Sequence, residues 1–136
     1  MFVRIVVLPL LAVAIFAYGC AQTVALRGAQ AVPAALGEAK VSRDDNGNTI
    51  LTIEVEHLAP PENLSQPKSV YVVWAQVPQG RIVNLGQMNV GKDRSGRFVG
   101  VTPLTQFRIL VTAEDLAAVA TPSKEEILST EVFTVN

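Results

Sequence analysis

From residue 36 onward the chain is broken by Gly, Pro and Asn-Gly signals at short spacing. No segment there keeps a 3.6-residue apolar repeat for more than a turn or two. A chain so punctuated buries apolar surface through short extended segments. Its β-branched content agrees: Val, Ile and Thr supply 30 of the 117 residues from Cys20 onward. These stiff side chains suit a pleated surface. Short strands with closely spaced turns are the pattern of an all-β sandwich or barrel. The expectation is an antiparallel β-sandwich of seven or eight strands, of immunoglobulin-like size, over residues 36–136.

The expected strands are Leu36 to Arg43, Thr49 to Leu58, Val70 to Val77, Arg81 to Val90, Arg97 to Val101, Phe107 to Ala113 and Glu126 to Val135. Asn46-Gly47 predicts a hairpin turn between the first two, with positive φ at its centre. In the second strand Leu51, Ile53 and Val55 share one face, and Thr52, Glu54 and Glu56 the other. Pro60, Pro61 and Pro67 keep 59–69 out of any ladder. Val70 to Val77 is apolar on both faces, as a central strand is. Gly86 marks a bulge or a close approach. Core candidates are Ile53, Val55, Val72, Trp74, Leu85, Ile109 and Val111. Thr112 to Asp115 matches a helix capping box, but only a short apolar run follows it.

The N-terminus has a different composition. Residues 1–19 contain 16 apolar residues and one charge, Arg4. A short positive start followed by an apolar run is the layout of an export signal. The run falls short of the ~20 residues that span a membrane. It ends Gly19-Cys20-Ala21, which resembles a bacterial lipobox, whose Cys becomes the lipid-bearing mature N-terminus. The expectation is a signal peptide over 1–19, lipid attachment at Cys20 and an Ala-rich tether over 20–35. Ordinary cleavage near Cys20 or Ala21 is the alternative, and a retained anchor a third. Each places the domain outside the cytoplasm, as a periplasm-facing membrane-anchored lipoprotein or a secreted one.

Little reactive chemistry is written in the chain. The formal net charge is −1, without the basic surplus of a nucleic-acid binder. One Cys and one His exclude a disulfide framework and multi-His or Cys-rich metal centres. His57, the sole imidazole, falls by parity at a strand end near the core face. No G-x-S-x-G elbow accompanies it. Asp44 to Asn48 lacks the spacing of a Ca²⁺ loop. Gly91 to Gly96 has the two glycines of a phosphate loop, but Arg97-Phe98 stands where Lys-Ser/Thr is needed. Asn63-Leu64-Ser65 is a glycosylation sequon, read as a chance match in a bacterial lipoprotein. Glu54 and Glu56 lie one pleat repeat apart on the solvent face. Tyr71 and Trp74 fall on opposite faces of one strand. No catalytic residue, metal site or cofactor is expected. His57, Tyr71 and Glu56 are the candidate binding surface.

One series of motifs resembles a known family. His57-Leu58-Ala59-Pro60-Pro61 is followed by Tyr71-Val72-Val73-Trp74 and Asn84-Leu85-Gly86. Val111-Thr112-Ala113-Glu114 and Thr121-Pro122-Ser123 complete the series. Together they resemble the extracytoplasmic domain of anti-sigma-K-factor-type proteins, over residues 36–131. The resemblance implies a β-sandwich on the outer side of a membrane. The sigma-binding region and spanning helix of that family are absent, and Ser123-Lys124 stands where the family has Gly. The function expected is a non-enzymatic envelope module that binds or supports. Its partners would be the membrane, through N-terminal lipid, and an envelope protein or wall component. Alternatives are a sensory accessory of a separate membrane partner and an envelope hydrolase.

Overall fold

The computed structural model describes residues 21–136. The leader and Cys20, with everything assigned to them above, lie outside the described residues. Nine strands follow: β1 (Gln22–Gly28), β2 (Leu36–Arg43), β3 (Thr49–Glu56), β4 (Val70–Gln76), β5 (Ile82–Val90), β6 (Gly96–Thr102), β7 (Gln106–Glu114), β8 (Glu126–Ser129) and β9 (Phe133–Thr134). Among the described residues the only helical element is a 3-10 turn at Pro61–Asn63. No helix among the described residues is long and apolar enough to cross a membrane.

The strands pair in the order β4-β5-β6-β3-β2-β1-β8-β7, and β4 also pairs with β7. Every pairing is antiparallel. Eight strands therefore close into a barrel. The all-β antiparallel expectation holds, but the two-sheet sandwich gives way to one continuous ring. The physical reason is β1. The segment 20–35, expected to be a tether, supplies this strand, which bridges β2 and β8. Without it, two open edges would face each other. Its Ala-rich composition hides an alternation in which Val24 and Leu26 turn toward the core while Thr23, Ala25 and Arg27 are exposed.

Side chains fill the barrel, as they do in closed rings of eight strands. On β3, Leu51, Ile53 and Val55 are buried and Glu54 and Glu56 exposed, as the alternation predicts. Ile109 and Val111 join them in the core. On β4 it is Tyr71, Val73 and Ala75 that point inward. Val72 and Trp74 are equally buried but lie on the outer face, with Leu110, beneath the 115–125 segment. Leu85 is the extra residue of a bulge: Val73 pairs with Gly86 and Trp74 with Asn84. Gly86 sits there at φ 132°, beneath the Phe98 ring.

The antiparallel ring sorts the connections. Loops 29–35, 57–69, 91–95 and 115–125 gather at one end, the loop end. Turns 44–48, 77–81 and 103–105 gather at the other, the turn end, together with the start of β1 and with β9. At 44–48 only Gly47 has positive φ, 79°. The hairpin therefore closes through a wider turn than two-residue Asn-Gly. The capping-box reading of 112–115 gives way to strand: Thr112 and Glu114 belong to β7.

Candidate functional site

The alternation of β3 ends at an inversion. His57 takes left-handed backbone, φ 58°, so its imidazole is exposed and Leu58 drops into the core. This corrects the parity reading that put His57 near the core face. The Leu58 N–H donates to the Arg94 carbonyl at 2.9 Å. Arg94 is itself left-handed, φ 65°. A non-glycine residue in that region costs about 1–2 kcal/mol. His57 and Arg94 are the only two such residues among those described. They meet across one backbone hydrogen bond, and such strain gathers at functional sites.

Both line a cavity of about 280 Å³ at the loop end. Val32, Leu64 and Ile127 give it an apolar side; Asn63, Gln66 and Glu125 give it a polar one. A second depression, lined in part by Glu62 and Lys92, shares Ala59, Asn63 and Arg94 with the first. The two form one stepped groove. The side chains of His57, Asn63, Gln66, Arg94 and Glu125 make no hydrogen bond among the described residues. Their donors and acceptors are open to a ligand.

The turn beside the groove is built otherwise. The Asp93 carboxylate accepts from the Ser95 hydroxyl at 2.7 Å and the Ser95 N–H at 3.2 Å. These bonds, the hydroxyl first, hold it below its ordinary value of 3.8. A carboxylate thus occupies the concave side of the 91–95 turn, which has the opposite charge requirement to a phosphate cradle.

The other candidates lie elsewhere. Tyr71 is fully buried inside the barrel and offers no surface. It has room because small Ala113 lies opposite it on β7. Its hydroxyl donates to the Ala59 carbonyl at 2.7 Å and so pins the start of the 57–69 loop. Burial, with the Glu62 charge second, pushes that hydroxyl from 10.0 up to about 12. Glu56 adjoins His57 in sequence but lines a separate depression on the outer wall, with Leu36, Glu38 and Glu54. Glu54 faces Glu38 on β2 and Arg97 on β6, the latter at 3.7 Å. Of the three surface candidates, only His57 reaches the groove.

Composition gave no hint of the device that fixes the 115–125 segment. The Trp74 Nε1–H donates to Thr112 Oγ1 at 2.9 Å, and that hydroxyl donates to Glu114 Oε1 at 2.6 Å. The same oxygen accepts the Ser123 N–H at 2.7 Å. Asn84 Nδ2 donates to the carbonyls of Ala117 and Val119. Strand residues thus hold the segment against the outer apolar patch. Among the described residues no group of three His, Cys, Asp or Glu could hold a metal ion. No protein-family model matches the chain, and no curated protein matches it in sequence.

Proposed function

We propose that this chain is a lipid-anchored envelope module that binds a partner, without chemistry, at the loop end of its barrel. One observation carries the reading: the strand that follows Cys20 begins at the turn end, and the three longest connections, 29–35, 57–69 and 115–125, gather at the opposite end. A lipid on Cys20 would set the turn end against the membrane and project the groove of His57, Arg94, Asn63 and Gln66 outward. The open polar groups beside an apolar wall suit a polar ligand such as an exposed segment of a wall polymer or envelope protein. The motif resemblance to anti-sigma-K outer domains fits an extracytoplasmic module.

Two measurements test this. Metabolic labelling with a palmitate analogue is expected to mark the wild-type chain and not Cys20→Ser; equal labelling would overturn the anchor. Co-sedimentation with isolated wall sacculi or envelope extracts is expected to fall at least tenfold in His57→Ala/Arg94→Ala. Unchanged binding would remove the groove from the account.

A further inference from the structure

The barrel wall is closed unevenly. β1 pairs with β2 from Gln22 to Arg27. On its other side it pairs with β8 at Arg27 and Gly28 alone. Past Ser129 the chain turns away from β1 and toward β7. The Thr130 N–H donates to the Ile109 carbonyl at 3.0 Å, and Thr130 Oγ1 accepts the Ile109 N–H at 2.9 Å. Phe133 then pairs with Phe107, their ring centroids 4.8 Å apart. Residues 22–26 and 130–133 are left as the two banks of an open seam. The cavity between them measures about 600 Å³, inside the range of roughly 300–1,000 Å³ that ligand sites occupy.

The seam has the chemistry of a missing strand. In an antiparallel ladder, alternate residues aim N–H and C=O at one neighbour and the rest at the other. Alternate residues of 22–26 therefore present unpaired backbone groups to the seam. No backbone hydrogen bond crosses it among the described residues. Gln22, which lines the same cavity, buries its Oε1 without a hydrogen-bond partner among the described residues, an acceptor awaiting a donor. The edge residues, Gln22-Thr23-Val24-Ala25-Leu26, include no Lys or Pro, the usual guards against strand addition. Charge gives the seam a direction. Arg27 lies at its closed end, against Ser129, and Arg108 and Glu131 line it farther out. Arg108 is committed to Gln76 and Glu126. Arg27 is exposed and has no ion pair among the described residues.

We propose that this seam takes the extended C-terminal tail of another polypeptide as an added strand. The tail runs parallel to β1 and antiparallel to β9, with its terminal carboxylate at Arg27. About five residues fit, since the open edge spans five residues at ~3.3 Å each. Backbone pairing supplies affinity, and the carboxylate supplies polarity and register. The site lies on the wall and is independent of the loop-end groove.

The test is to pan random seven-residue peptides with free C-termini against the chain purified as cells process it, in detergent. An enriched peptide is then remade as acid, amide and N-methylated series. Expected are at least tenfold weaker binding of the amide, and the same loss for the acid on Arg27→Gln. Binding should also fall on N-methylation at alternate positions only, and amide exchange within 22–26 should slow. Arg27 is exposed, so an unchanged melting temperature certifies that variant as folded. The proposal is overturned by failure to enrich any peptide, or by binding indifferent to amidation. It is equally overturned by slowed exchange at 57–66 in place of 22–26, or by concentration-dependent dimerisation through β1.

Discussion

The turn end of the barrel and the groove at its loop end use the same kinds of polar residue in opposite ways. At the turn end they are spent on the fold. Asp44 accepts the N–H groups of Asn46 and Asn48 at 2.9 and 2.8 Å, and Thr49 Oγ1 donates to the Leu104 carbonyl at 2.7 Å. In the groove the side chains of Asn63, Gln66 and Glu125 make no hydrogen bond among the described residues, and two non-glycine residues hold left-handed backbone beside them. A protein selected for stability alone would not keep that cost. The difference separates the part of the chain that makes the barrel from the part available to bind.

Several substitutions can break or sharpen this contrast. The largest loss belongs to the turn end. Phe107→Ala empties a fully buried site against Phe133 and is expected to cost about 3–5 kcal/mol by chemical denaturation. Next comes the strap of the outer wall. Glu114→Ala strands the Ser123 N–H and the Thr112 hydroxyl, for a loss of ~1–3 kcal/mol. Limited proteolysis should then cut within 115–125 before it cuts the strands.

Tyr71→Phe removes the bond to Ala59 and is expected to cost about 1 kcal/mol at neutral pH. Its pH signature is specific. The fold favours the neutral hydroxyl, whose value rises from 10.0 to about 12. That contribution is complete below pH 10 and disappears as pH climbs through about 12. Denaturation midpoints of Tyr71→Phe should lack that alkaline component. The smallest effect on stability belongs to the loop end. His57→Gly relieves the left-handed strain and is expected to leave stability unchanged or raise it by up to ~1 kcal/mol. The same variant should weaken binding to wall or envelope fractions. A large destabilisation would make His57 part of the scaffold and erase the contrast.

Much of the barrel was legible from pattern. The alternation of β3, the apolar β4 and the Gly86 bulge each follow from a local rule that packing then respects. Closure was not, because it depends on β1, where only Val24 and Leu26 turn inward and a single repeat of alternation inside an Ala-rich stretch gives little apolar signal. Nor was the inward face of β4 legible: Tyr71 and Trp74 are both large, and the choice rests on which one meets small Ala113 across the ladder. The site was half visible. His57 stood out as the sole imidazole, but its outward turn depends on a φ that no residue type announces. Arg94 entered the groove through the shape of a turn that read only as a turn.

In the proposed orientation the loop end faces away from the membrane and carries the binding surface. Spin labels on single cysteines at Ser65 and at Asn46, in the lipid-anchored chain on bilayers, measure this through collision with a lipid-bound nickel chelate. The account predicts strong relaxation at position 46 and little at 65. Equal values, or stronger relaxation at 65, would contradict it.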